Sequence, residues 1–182
     1  MEPTIIDRLV EDNEALATLL RDLGQISHLS DVENAFRKIL LLAAASYFES
    51  EVKDSLIAFA KGQAGDASPL IHLIKKKAIE RQYHTLFSWD TANANTFFAL
   101  FGSGFKEFMN AKIREEEDLE TSIRAFLELG NLRNHLVHEN FATFEIEKTP
   151  DEIYRLYQSA MRFVTSIKPL LDEHASTPRP AD

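Results

Sequence analysis

The sequence predicts an all-α fold, a bundle of amphipathic helices around one core, and three observations carry that prediction. Apolar residues recur at three- and four-residue intervals in the N-terminal, central and C-terminal stretches. Ser30 with Glu33 and Thr149 with Glu152 have the spacing of a capping box, in which a hydroxyl and a carboxylate satisfy each other's free backbone N–H groups. Pro69 and Pro150 directly follow a serine and a threonine, where a first helical turn has no use for the missing N–H. A chain of 182 residues, 45% hydrophobic and 27% charged, suits one packed domain better than two. The expectation is a single helical domain over residues 1–174, with a polar, proline-containing tail over 175–182.

In chain order, Ile5, Ile6, Leu9, Leu16, Leu19, Leu20 and Leu23 form the apolar stripe of a first helix, and Gly24 is its stop. A second helix is expected from the Ser30 box to about Lys61, ended by Gly62. Its middle, residues 39–48, is apolar nearly all round, as in a helix buried within a bundle, and Glu49 closes that run. Residues 62–68 read as a loop, and residues 70–89 as one mixed helix. Phe97, Phe98, Phe101, Phe105 and Phe108 supply a dense aromatic core. The acidic run 114–120 suits a turn into the first turn of the next helix. Residues 139–147 alternate loosely and predict a short extended piece, after which the Thr149 box starts a last helix whose stripe runs to Pro169.

Bulk properties remove several function classes. No cysteine is present, so disulfide frameworks and thiolate chemistry are excluded. No run approaches the roughly 20 apolar residues of a membrane helix, and residues 1–4 do not start a secretory signal, so a cytoplasmic location is expected. A net charge of −9 disfavours long duplex DNA as a ligand, because phosphate contacts dominate such binding. Lys75, Lys76, Lys77 and Arg81 still offer a local basic surface. No nucleophile-elbow motif, phosphate-binding loop or HExxH pair occurs. His135 and His138 share a helical face but have no aspartate or cysteine nearby, so no metal or cofactor is expected.

One stretch concentrates the chemistry. At about 100° per residue, Phe126, Leu129, Leu132, Leu136 and Val137 share an apolar arc, and Arg133 projects from its middle. Asn134 and His138 lie on one border of that arc, while Arg124, Glu128, Asn131, His135 and Glu139 form the solvated side. A guanidinium and an amide persist on such a face only with partners, and their clustering marks a candidate site. Glu49 is the expected partner and orienter of Arg133, His135 a solvated neighbour able to touch substrate, and His28, His72, His84 and His174 surface or core-edge residues. A purely structural role for the cluster sets Arg133 against a core glutamate and His138 at a helix end.

Arg133-Asn134 followed by His138 resembles the arginine, polar residue and histidine signature of the HEPN superfamily. With residues 126–132, the helical stretch 40–49, and Phe101-Gly102-Ser103-Gly104-Phe105, the likeness narrows to the RiboL-PSP-HEPN branch over about residues 31–172. The resemblance implies a HEPN-like bundle with additional helices and a metal-independent endoribonuclease of the toxin or antiviral-defence kind. On this view Arg133, Asn134 and His138 act on RNA, with transfer RNA among the substrates, leaving 2',3'-cyclic phosphate and 5'-hydroxyl ends. One helix carries one such histidine, so the resemblance also implies a homodimer with a composite site, and an antitoxin or defence-system partner. Two positions depart from the family pattern. Asn140 stands where AMPylated members have tyrosine, which argues against an antitoxin of that type, and Glu139 replaces a common glycine, which predicts that the helix runs on a little. The competing readings are a non-catalytic dimerisation or adaptor protein and a small-ligand-binding helical module.

Overall fold

The computed structural model describes residues 2–80 and 82–177, and among these every regular element is helical. Arg81 of the expected basic cluster, and residues 178–182 of the expected tail, lie outside the described residues. The elements are α1 (Ile5–Asp22), α2 (Ile26–Ala64), α3 (Pro69–Ile74) continuing through a π-helical turn (Lys75–Ile79), α4 (Tyr83–Leu86), α5 (Asn95–Ala99), α6 (Ser103–Glu115), α7 (Glu117–His138) and α8 (Pro150–Ser176). Helix α8 packs along α7 and α2, and α1 lies on α2. The short helices α3 to α5 close one side of this frame.

Local chemistry sets most boundaries. Gly24, at φ 68°, ends α1 in a paired turn: its N–H donates to the Arg21 carbonyl at 3.0 Å, and that of Gln25 reaches the Leu20 carbonyl at 2.8 Å. So tight a turn lets α2 begin at Ile26, and Ser30 and Glu33 fall inside the helix instead of capping it. At the other end α2 passes through Gly62 and stops at Gly65, whose φ of 81° few other residues adopt at low cost. Thr149 and Glu152 form the capping box of α8. Pro169, expected near the end of the stripe, lies inside α8, which continues because Leu171 is buried and His174 packs edge-on against Phe105.

Two expected segments differ. Residues 70–89 are not one helix: α3 widens into the π turn, and after α4 the chain extends at Phe87 (φ −125°, ψ 147°). That break lets Phe87 stack on Phe97 at 4.6 Å and Trp89 turn onto α7, which a continuous helix does not allow. Residues 139–147 form turns and irregular chain, with no strand among the described residues. A lone strand in a helical bundle has nothing to pair with. The carbonyls of Phe141 and Ile146 instead accept from Lys38 (2.6 Å) and Arg37 (3.3 Å) of α2.

Phe48, Phe87, Phe97, Phe126, Tyr157 and Phe163 pack at the centre of the bundle. The α1 cap is tied to that centre. Thr4 and Asp7 form a capping box, and Tyr157 and Tyr154 of α8 donate to Thr4 Oγ1 and Asp7 Oδ1, each at 2.8 Å. Burial raises the Asp7 pKa, but the bonds from the Thr4 N–H, the Tyr154 hydroxyl and the Thr4 hydroxyl outweigh it and hold the group below 3.8. Glu152, bonded to the Thr149 N–H and hydroxyl, is likewise held below 4.5. A carboxyl whose folded pKa is depressed contributes stability above its unfolded value and loses it as pH falls through the folded one. The melting temperature is therefore expected to decline below pH 4.5, the ordinary glutamate value. Asp7→Asn with Glu152→Gln should lower it at pH 7 and flatten that acid decline, measured by circular dichroism across pH.

Candidate functional site

Helix α7 runs to His138 and stops there. Glu139 leaves the helical region (φ −98°, ψ 176°) while its N–H still reaches the His135 carbonyl at 3.0 Å. The short continuation expected from a non-glycine residue at this position does not form. Within the last two turns Leu129 and Leu136 are fully buried, and Arg133 and Asn134 are half-buried. Val137, expected on the apolar arc, is 44% exposed. It and His138 project beyond the edge of the core, where the neighbouring helices no longer cover α7.

These residues open onto a cavity of about 390 Å³ lined by Glu49, Tyr83, His84, Arg133, Asn134, Val137 and His138. Its volume falls within the usual range for ligand pockets. Its inner end narrows to a void of about 20 Å³ floored by Phe48, Trp89, Phe126 and Leu129, room for about one water. Arg133, Asn134 and His138 thus share one concave surface with Glu49. His135 does not: it is exposed and faces Glu139, 3.9 Å from Nδ1 to Oε1.

Charge at the site is arranged differently from the expectation. Glu49 does not pair with Arg133; it is held by Lys53 one turn on in α2. Among the described residues Arg133 makes no ion pair, and its Nη1 donates to Asn134 Oδ1 at 3.2 Å. That bond occupies the amide oxygen and turns the Asn134 NH₂ group away as a free donor. Tyr83 is raised far above the ordinary phenol value, first by burial, then by the Glu49 charge, with Arg133 opposing, so it stays a neutral hydrogen-bonding group. With Glu49 neutralised by Lys53, the guanidinium is, among the described residues, the uncompensated charge of the cavity wall. Forked N–H donors, a free amide and an imidazole on one surface suit an anionic oxoacid group. Among the described residues, no group of three or more histidine, cysteine, aspartate or glutamate side chains could hold a metal ion. The exposed Lys75, Lys76 and Lys77 lie on the π turn and do not line this cavity.

Tyr83, His84 and Trp89 were not assigned to the site from sequence. They reach it because Trp89 lies flat on Gly130, where an added Cβ would meet the indole Cε3 and Cζ3 at 2.1 Å. The indole Nε1 donates to the His84 carbonyl at 2.9 Å, fixing α4 beside the last turns of α7. Gly130 was the available signal, since a glycine inside an apolar helical stripe marks close approach. Gly130→Ala is expected to displace Trp89, the single tryptophan, and redshift its fluorescence. Overpacking costs roughly 1–3 kcal/mol, and the helix-propensity gain of about 1 kcal/mol offsets part of that. A net loss of up to about 2 kcal/mol is expected from urea denaturation.

The family model for RiboL-PSP-HEPN matches residues 7–173, so the match takes in most of α1 as well as the expected 31–172. No curated protein and no solved structure matches the chain.

Proposed function

The chain belongs to the RiboL-PSP-HEPN family, and from that premise we propose that it is a metal-independent endoribonuclease working in the cavity at the C-terminal end of α7. HEPN domains are often ribonucleases and often act on RNA as dimers. What supports the reading here is the meeting of Arg133, Asn134 and His138 on one concave surface whose carboxylate among the described residues, Glu49, is neutralised by Lys53. Arg133 and the Asn134 NH₂ group hold the non-bridging oxygens of an RNA phosphate, and charge building on those oxygens strengthens both contacts. The 2'-oxygen bonds to phosphorus as it loses its proton to an imidazole, and the bond to the 5'-oxygen breaks as that oxygen gains one. His138 is one proton-transfer group. The products are a 2',3'-cyclic phosphate and a 5'-hydroxyl. Two chains pair with their α7 ends facing, so that two cavities form one composite groove, and a two-fold axis makes the contact isologous. The protein is an effector of the toxin or antiviral-defence kind, restrained by a partner until needed.

The test is incubation of total RNA and transfer RNA with the wild-type protein in EDTA, with product ends mapped and mass measured by sedimentation. Cyclic-phosphate ends from a dimeric protein are expected. A folded dimer that leaves these RNAs intact would replace this reading with that of a non-catalytic dimerisation or adaptor protein. In cells, induced wild-type protein is expected to arrest growth and His138→Ala to be tolerated, as read from growth curves at matched expression.

A further inference from the structure

Cleavage by 2'-hydroxyl attack moves two protons, one off the 2'-oxygen and one onto the leaving 5'-oxygen, and α7 offers the cavity a single histidine. His135 is exposed toward Glu139 and lines no part of it. A second imidazole is nevertheless present on another wall. His84 of α4 lines the same 390 Å³ cavity as His138, together with Arg133 and Asn134. Its placement is specific: the His84 carbonyl accepts from Trp89 Nε1 at 2.9 Å, Trp89 is seated on Gly130, and Tyr83 beside it is half-buried in the wall. His84 itself is exposed to solvent. It is therefore held by its backbone and free at its side chain, as a group that must meet substrate requires.

We propose that His84 is the second proton-transfer group and acts with His138 of the same chain; this rests on the endoribonuclease reading above. The neutral member of the pair takes the 2'-hydroxyl proton while that oxygen bonds to phosphorus. The protonated member gives its proton to the 5'-oxygen as the P–O bond breaks. The pair ends with its proton exchanged and resets through solvent. Standing on α4 and α7, the two imidazoles reach the phosphate from different elements, and an in-line displacement needs base and acid on different sides of phosphorus. Dimerisation then builds the groove, and each protomer keeps its own pair.

The experiment is single-turnover cleavage of one mapped RNA by wild type, His84→Ala and His138→Ala across pH 5–9, followed by mixing of the two variants after subunit exchange. His84→Ala is expected to lose about 10²–10⁴-fold in rate and one limb of the pH profile, the usual scale for a general acid or base. Its tryptophan emission should not move, because the Trp89 bond is to the backbone. Mixing should restore nothing, since neither chain carries both histidines. Cleavage by His84→Ala within about twofold of wild type, with an unchanged profile, would overturn the assignment while leaving the endoribonuclease reading intact. Recovery of cleavage on mixing would overturn the same-chain pairing. Absence of cleavage by wild type itself would remove both readings together.

Discussion

His138→Ala is expected to lower the RNA-cleavage rate by about 10²–10⁴-fold and to leave thermal unfolding nearly unchanged. The two halves of that expectation come from the same placement. His138 is the last residue of α7, exposed, and among the described residues its side chain has no hydrogen-bond or ion-pair partner within the protein. Removing it forfeits at most the favourable interaction of a protonated imidazole with a helix C-terminus, about 0.3–1 kcal/mol at an exposed position. A residue that contributes so little to the fold and so much to rate is acting on substrate. Arg133 behaves differently because it is half-buried and its Nη1 orients Asn134. Arg133→Ala should lose about 10²–10³-fold in rate, as for removal of a transition-state donor, together with measurable stability. Arg133→Lys keeps the charge and discards the fork, and should recover only part of the rate. Single-turnover rates beside melting curves for the three variants separate these cases. Equal losses of stability in His138→Ala and Arg133→Ala, with rates following the folded fraction, would assign the cluster to structure.

The elements legible in the sequence are those whose signals are local. The apolar stripes of α7 and α8, the turn at Gly24 and the Thr149 box each depend on residues within one or two turns, and they appear where local chemistry sets them. Helix α1 forms as expected but buries a different face: Ile6, Val10 and Ala17 meet the core, while Ile5, Leu16, Leu19 and Leu23 of the expected stripe are exposed, because α1 packs chiefly on α2 and covers only a narrow strip of its surface. The failures come from competition. Ser30 and Glu33 have the spacing of a cap, yet the turn at Gly24 places the N-cap of α2 at Gln25. Thr4 and Asp7 make a box of the same kind with aspartate as the reciprocal acceptor, and two tyrosines from α8 complete it; a scan for glutamate passes over it. Pro169 is overridden by packing of the last turns of α8. The site divides in the same way. Arg133, Asn134 and His138 share one helix face, which periodicity reveals. Tyr83, His84 and Trp89 stand more than 40 residues earlier in the chain and arrive through the break at Phe87 and the seat at Gly130, which is tertiary information. Glu49 illustrates the middle case: its approach to the cavity follows from α2, but its partner is Lys53 on its own helix, an i,i+4 pairing that the search for a distant cation overlooked.

Phe126→Ala is expected to be the most damaging single truncation near the site, costing about 3–5 kcal/mol, the usual range for a buried phenylalanine. The Phe126 ring lies among Phe48, Phe87, Trp89 and Phe163, with centroids 4.9–5.8 Å away. These four come from α2, the segment after α4, and α8, so one ring joins three parts of the bundle to α7. Truncation leaves a void that four large planar side chains on separate elements cannot close by one concerted shift, which puts the cost at the upper part of the range. It also enlarges the floor of the cavity, two turns below Arg133 on the same helix, and frees Trp89 from one of its faces. Urea denaturation should therefore show a large fall in midpoint with little change in slope, and tryptophan emission should redshift before the main transition. Phe126→Leu refills much of the volume and should recover most of the stability, yet it restores no flat surface for Trp89. If cleavage by Phe126→Leu recovers in step with the folded fraction, the ring serves the core alone. If the protein is fully folded and still slow, the aromatic floor sets the position of α4, and with it His84, against the α7 residues that hold the phosphate.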